Sequence, residues 1–461
     1  MKLTIQEVAK AVHALEVTTV DKEMTLTGAE FDSRKITEGD LFVPLKGARD
    51  GHEFVNAAIA NGAVATLWAK DNGAIPKDFS AIIVEDVLVA FQQLAKYFLE
   101  KIRPTVVGIT GSNGKTTTKD MTAAVLSASF KTYKTQGNHN NEIGLPYTIL
   151  SMPEDTEKLV LEMGMDHEGD LHLLSTLAQP EIAAITLIGE SHLEYFGTRE
   201  KIAQGKMEIV DGLKEDGILI VPADEPLLVP LTEKLHQEVV RFGLEKSADV
   251  YATIKKEAKG HVDFTLSFLE GEFRIPVPGA YNVRNALVAA LIAKRLGMSD
   301  EKIREALATV ELTKNRTQWL KNSKGVEILS DVYNANPTAM GLVLDSFSKM
   351  PTKGRRVAVL GDMLELGDKS GSLHRSMALH LFPDEIERVY LYGSEMLKLT
   401  EVIKDMYPVG TLRYYNKTEK LDEKNELIKD LKEELKPEDM VLLKASNGMG
   451  LSEVVLALME K

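Results

Sequence analysis

Gly108-Ile-Thr-Gly-Ser-Asn-Gly-Lys-Thr-Thr-Thr118 decides how the rest of the chain is read. The residues leading into it, Thr105-Val-Val-Gly-Ile-Thr110, are short, apolar and β-branched, the pattern of a buried strand. Behind it, Lys115 to Ser129 reads as a helix whose apolar face carries Met121, Val125 and Leu126. A strand, a glycine-rich turn and a helix N-terminus in succession aim unpaired N–H groups and the positive end of a helix dipole at one spot. That spot suits an anion. Lys115 would reach the outer phosphates of a nucleotide, and the Thr116 hydroxyl would bind its magnesium. Thr110, Gly111, Ser112, Asn113, Gly114 and Thr117 complete the expected ATP cradle. The strict pattern asks for glycine where this chain has Ile109, so the loop is a variant. The alternative is a turn that uses glycine only for its φ freedom. Against it, a lysine at a helix start is disfavoured by the dipole, and a bound anion offsets that cost.

Composition bounds the rest. A chain of 461 residues is too long for one core, and about three domains are expected. Its 44% hydrophobic and 27% charged residues are those of an ordinary globular protein. With no cysteine, neither a disulfide framework nor a thiolate metal site can form. A formal net charge of −14 argues against nucleic-acid or anionic-membrane partners. Thr4 and Glu7 form a capping box ahead of an amphipathic helix, without the apolar core of a signal peptide. No apolar run approaches the roughly 18 residues of a membrane span. A soluble, cytoplasmic monomer is expected.

The pattern along the chain is α/β, in three sections. Residues 1–85 mix short strands and helices, with a strand expected over Asp40–Gly47 and a helix over Val55–Asn61. In residues 86–312, a helix over Val87–Ile102 stops at Arg103-Pro104, and strands and helices then alternate, as in a mostly parallel sheet. The strands expected are Val106–Thr110, Thr132–Thr135, Leu159–Met163, Ile182–Ile188 and Gly217–Val221, with Val262–Phe268 and Phe273–Val277 antiparallel at the flank. Residues 313–461 open with a hairpin around Asn322–Gly325 and continue as alternating strands and helices. The charged stretch Lys417–Lys436 reads as a solvated helix face.

Several polar residues fall at the ends of these strands. Glu162 is the lone carboxylate closing Leu159-Val-Leu-Glu162, where strand ends face the ligand crevice of an open α/β sheet. It is a candidate magnesium ligand, or else a strand-end carboxylate facing water. His192, past the next strand, faces the same crevice and divides evenly between ligand and surface residue. Lys206 reads as an exposed helix lysine. The loop Thr135–Pro146, with Asn138 and Asn141, can hydrogen-bond a sugar or an amide, or can simply turn. Ser33, Arg34 and Lys46 offer a hydroxyl and two cations, either a small phosphate site or solvated surface. Asn334 and Asn336 are both candidate N-caps before Pro337.

Taken together these motifs resemble the Mur ligases, the ATP-dependent amide-forming family of peptidoglycan synthesis. The likeness runs nearly end to end, and the variant loop Thr110–Thr116 is that family's own form. The stretches Gly137-Asn-His-Asn-Asn-Glu-Ile-Gly144, Asp331-Val-Tyr-Asn-Ala-Asn-Pro337 and Leu360-Gly-Asp-Met-Leu-Glu-Leu-Gly367 are most similar to the branch that adds D-alanyl-D-alanine. The resemblance implies a UDP-sugar domain, a central P-loop ATPase and a C-terminal Rossmann-like domain. It implies two magnesium ions held with the help of Glu162, His192 and a carbamylated Lys206. By the same likeness Asn282 and Asn285 lie beside adenine, Arg316 meets phosphate and Asp331 meets ribose. Asn138, Asn141 and Asn334 would meet the muramoyl-peptide, and Ser33, Arg34 and Lys46 the UDP. Near the C-terminus Lys444-Ala-Ser-Asn-Gly-Met449 departs from the family's Lys-Gly-Ser pattern.

The reaction implied joins the carboxylate of UDP-MurNAc-tripeptide to the amine of D-Ala-D-Ala through an acyl phosphate. Two alternatives stand beside it. One is the family member that adds the third amino acid, lysine or diaminopimelate, although no Asp-Asn-Pro-Arg run is present. The other is a P-loop switch or transport ATPase, which would leave the loops at 135–146, 331–338 and 360–367 without a purpose.

Overall fold

The computed structural model describes residues 1–19, 21–313 and 316–460. Three larger sheets follow one another along the chain. The first is five-stranded, in the order Glu16–Thr18, Ser80–Val84, Ala65–Ala69, Asp40–Phe42, Gly28–Glu30. A nine-stranded sheet lies in the middle and a six-stranded sheet comes last. The helix Ile5–Ala11 begins with the expected reciprocal cap, Glu7 N–H donating to Thr4 Oγ1 and Thr4 N–H to Glu7 Oε2.

Thr105–Thr110 sits inside the nine-stranded sheet, between Lys158–Glu162 and Ile182–Ile185, parallel to both. Val107 lies opposite Val160 on one side and Ile182 on the other. A strand covered on both faces must be apolar on both, and Val106, Val107 and Ile109 are all buried. From this strand the chain runs out to Thr132–Lys134, returns to Lys158–Glu162, then crosses to Ile182–Ile185 on the far side. The reversal leaves a crevice at the carboxyl ends of these strands.

The strand expected over Ile182–Ile188 ends at Ile185 because the chain then wraps the phosphate loop, Ser112 N–H donating to Leu187 O at 2.8 Å. The flanking pair forms as His261–Leu266 and Glu272–Ile275, both antiparallel. Glu238–Gly243 and Val250–Ala258 are strands that the periodicity did not reveal. The second carries Lys255-Lys256-Glu257 and a register shift between Ile254 and Lys256, which breaks the alternation. The strand expected over Asp40–Gly47 is shorter, Asp40–Phe42.

In the last sheet the hairpin Gln318–Lys321 with Glu327–Asp331 is antiparallel, and Met440–Lys444, Arg356–Gly361, Arg388–Tyr392 and Leu412–Tyr415 continue it in parallel. Of Lys417–Lys436 only Lys424–Glu434 is helical. Its charged face is solvated as expected, with Glu426, Lys429, Lys432 and Glu433 exposed and Asp430 and Glu434 paired with Arg413 and Arg388, while Leu427 and Leu431 are buried on the other side.

The helix Val87–Ile102 joins the first two sheets. Asp86 caps it through Val89 N–H, and Arg103 ends it in the left-handed region ahead of Pro104. Its Phe91, Leu94 and Phe98 belong to one continuous core that also holds Leu3 and Leu41 of the first section and Leu159, Leu161 and Leu219 of the middle one. Tyr147 Oη crosses the same boundary to Glu30 at 2.7 Å. The last sheet builds its buried cores from its own residues. The first two sections are therefore fused by one apolar core, while the third keeps its own cores and meets the others through hydrogen bonds such as Thr338 to Glu190 beside apolar contacts of Tyr281 and Leu373. Removing the Phe91 ring should cost about 3–5 kcal/mol of stability. Phe91→Ala in a Trp319→Phe background, unfolded in urea and followed by Trp68 emission, should show that loss as an earlier midpoint.

Candidate active site

A cavity of about 480 Å³ opens between the middle and last sheets, and the phosphate loop forms its floor. The helix Lys115–Ser127 starts after Gly114, which has φ +82° and contributes no side-chain cap. The first N–H groups of that helix keep their hydrogen-bonding capacity for something else. A Cβ at residue 114 would come within 2.7 Å of Asn285 Oδ1, so the loop is closed around a residue that must be glycine. Asn285 also accepts from Thr118 Oγ1 at 3.1 Å and donates to Asn282 Oδ1 at 3.2 Å. The helix Ala280–Arg295 thus braces the loop from the side.

Lys115 Nζ folds back onto Gly111 O at 2.7 Å. Burial lowers its pKa; Glu162 and Asp166 oppose that and nearby Arg316 adds to it. Lys206 is 2% exposed, which corrects the expectation of a surface lysine: the helix Arg199–Met207 turns it inward. Burial and the charge of Lys115 hold its pKa well below that of a free lysine, with Asp166 opposing. Lys115 lies near enough for its charge to bear on Lys206.

Glu162 ends its strand at 3% exposure. Its Oε1 accepts from Asn140 Nδ2 at 2.9 Å, and its buried Oε2 accepts no hydrogen bond among the described residues and lies 3.9 Å from the buried Lys119 Nζ. An anionic oxygen in that state suits a hard cation. His192 stands in the left-handed region at φ +62°, its Nδ1 2.8 Å from Glu365 of the last section. Among the described residues no group of three or more His, Asp or Glu is in place to hold a metal. Oxygens from elsewhere would have to complete a magnesium shell.

The opposite wall comes from the last section. The Arg316 guanidinium lies 4.1 Å above the Tyr333 ring with its Nε unpartnered. Asp331 accepts from Lys444 Nζ at 2.5 Å and from Thr317 N–H at 3.3 Å. Lys444 also donates to Asn334 O at 3.0 Å. Ser446 Oγ accepts from Leu364 N–H and donates to Ala335 O, tying two loops together.

Known proteins place this arrangement. The Mur ligase catalytic-domain family matches residues 25–97, the Mur ligase middle domain residues 109–293 and the Mur ligase glutamate ligase domain residues 315–447. The UDP-N-acetylmuramoyl-tripeptide–D-alanyl-D-alanine ligase of Bacillus subtilis is 40% identical over 100% of this chain and 99% of its own. The chain belongs to the Mur ligase family. A crystal structure of MurF from Acinetobacter baumannii superposes with a TM-score of 0.88 at 29% identity, covering 100% of this chain and 99% of that one. MurF ligase from Thermotoga maritima in complex with ADP gives 0.79 at 29% identity, covering 94% and 97%.

In this Mur ligase, Ser112, Asn113, Gly114, Lys115, Thr116, Thr117, Asn138, Glu162, His192, Asn282, Asn285, Arg316, Asp331 and Asn334 line one cavity. Thr110 and Gly111 lie behind the loop, and Lys206 is buried off the cavity wall. Asn141 lines a smaller neighbouring cavity and caps the next helix through Gly144 N–H at 2.9 Å. Ser33, Arg34 and Lys46 line neither cavity; the Arg34 guanidinium is held by Asp32 at 2.8 Å. Asn336, not Asn334, caps the helix Pro337–Lys349. Asn140, Asp166, Tyr333, Glu365 and Lys444 also line the cavity and were not foreseen. Their positions follow from loops meeting in space, although Lys444, a cation ending an apolar strand, carried a signal like that of Glu162. Gly114→Ala should weaken binding of ADP by about 5- to 150-fold, measured by calorimetry, since the added strain is about 1–3 kcal/mol.

Proposed function

We propose that this Mur ligase joins D-alanyl-D-alanine to the peptide carboxylate of UDP-MurNAc-tripeptide, consuming ATP and releasing ADP and phosphate. The observation that carries the reading is the single cavity in which the phosphate loop, Glu162 and the loops of the last sheet converge. The end-to-end likeness to the Bacillus subtilis ligase of that name supports the choice of substrates.

The carboxylate attacks the γ-phosphate, the ADP oxygen leaves, and the resulting acyl phosphate is then attacked by the dipeptide amine. The amine loses a proton, the amide forms and phosphate departs. Two negative groups must first approach each other. Lys115 exchanges Gly111 O for phosphate oxygens, and the free N–H groups after Gly114 hold the same phosphates. Asn282, Asn285, Arg316 and Asp331 take the adenine, phosphate and ribose side of the nucleotide. Asn138, Asn141 and Asn334 take the peptide side, with Ser33, Arg34 and Lys46 on the UDP. Closure of the last section over the middle one keeps water from the acyl phosphate.

The donors present fit magnesium: Thr116, the buried Oε2 of Glu162, which no hydrogen bond occupies among the described residues, and the His192 ring would hold two ions, and the ions would supply charge that screens carboxylate from phosphate. Lys206 fits carbamylation. Addition of carbon dioxide needs a neutral amine, and burial beside Lys115 favours that form at lower pH than in a free lysine. The carbamate would replace a buried cation by an anionic oxygen ligand. No helix among the described residues is long and apolar enough to cross a membrane.

Amide and ADP should appear in equal amounts only when tripeptide donor, D-Ala-D-Ala, ATP and magnesium are all supplied, as read by mass spectrometry and coupled ADP assay. ATP turnover at the same rate without either peptide would discard the reading, and product from a free amino acid in place of the dipeptide would redirect it to the third-residue ligase. Lys206→Arg should lower kcat by about 10²–10³-fold. With labelled bicarbonate, the carbamate carbon resonance seen in the parent by NMR should be missing from that variant.

A further inference from the structure

The last section touches the phosphate loop directly, through a set of side chains that the proposed chemistry does not use. Asn113, inside the loop, donates from Nδ2 to Asn336 Oδ1 at 2.9 Å. Asn336 is 1% exposed and donates in turn to Ser191 Oγ at 2.7 Å. Ser191 Oγ donates to Ser112 O at 3.1 Å, back in the loop. The circuit leaves the phosphate loop, crosses to the other section and returns. Asn336 Oδ1 also accepts from Ala339 N–H at 2.9 Å, so the cap of the helix Pro337–Lys349 and the cross-domain contact are one group.

Beside it, Glu190 of the middle section reaches the first turn of the same helix. Its Oε2 accepts from Thr338 N–H at 3.1 Å and from Thr338 Oγ1 at 2.8 Å. The carboxylate is steadied from behind by Arg199, Nε to Oε1 at 3.8 Å. An anion at the positive end of a helix dipole is favourable, and hydrogen bonds to a charged acceptor are the stronger kind. A carboxylate contributed by one domain to a helix of another holds the two together.

We propose that Glu190 and Asn336 are positioning residues forming a latch that fixes the last section on the phosphate loop in the closed state. The latch sets the wall with Arg316, Asp331 and Lys444 in register with Lys115 and Glu162. Asn113 makes the shape of the loop part of the closed contact. This inference rests on the proposed ligase reaction for its kinetic consequences and on geometry alone for closure itself.

Glu190→Ala removes both bonds, Thr338→Val removes the hydroxyl bond from the other side of the boundary and keeps the N–H bond, and Glu190→Gln keeps an acceptor oxygen. Both breaking variants should lower kcat about tenfold, the equivalent of one such charge-assisted bond. KM for ATP should move less than about threefold, because the nucleotide's own contacts remain. ADP should exceed amide, as water reaches the acyl phosphate in the loosened state. Glu190→Gln should recover most of kcat, and the Glu190→Ala/Thr338→Val pair should lose no more than the worse single variant. Small-angle scattering with ADP reads closure without the chemistry: the parent should fit the closed arrangement, and both single variants should be more expanded. Parent-like kcat with equimolar ADP and amide, losses that add in the double variant, or scattering unchanged from the parent would each overturn the latch. If the parent forms no amide, the ligase reading fails, and scattering still decides the latch.

Discussion

The constraint behind this structure is the placing of positive charge where a helix resists it. Lys115 opens the helix after Gly114, Lys206 lies buried close by and Arg316 lines the same cavity as Lys115. Burial disfavours the charge of Lys115 and of Lys206, Arg316 adds to the first and Lys115 to the second. Such an arrangement is tolerable only in a site meant to be neutralised from outside. A triphosphate does that. The glycine conformation at residue 114, the asparagine brace from the neighbouring helix and the strand order around Thr105–Thr110 all keep that charge concentrated at one point.

The middle sheet was legible from the chain because its strands are buried on both faces and read as continuous apolar runs. The two strands that escaped notice, Glu238–Gly243 and Val250–Ala258, lie toward the flank, where one face meets water and charged residues interrupt the pattern. Candidate residues at strand ends were readable for the same reason: a lone Glu162 after an apolar run stands out. Lys206 did not, because nothing local distinguishes a helix lysine that points inward from one that points out. Its burial is a property of packing between elements. Glu365 and Asp166 belong to loops brought together only by the finished fold, and no spacing in the chain announces their meeting.

The separation into fused and docked parts follows from the kind of contact at each boundary. Between the first and middle sections the contact is apolar and continuous through the helix Val87–Ile102, so parting them would expose a core. Between the middle and last sections hydrogen bonds and ion pairs, His192 with Glu365 and Glu190 with Thr338 among them, cross beside apolar contacts of Tyr281 and Leu373. Polar contacts can be exchanged for water at small net cost. The boundary that can open is the one crossed by the cavity.

If the first section holds the donor's nucleotide, as proposed, the fused boundary turns the protein into a gauge. A donor so anchored and activated on the middle section would stretch across the core that joins the two. Chain length of the attached peptide then becomes a selected property. A shorter stem leaves its terminal acid adrift before the phosphate, and a longer one overshoots. Rigid masonry on one side of the cleft, more than any side-chain pocket, would tell the enzyme how many residues have already been laid down.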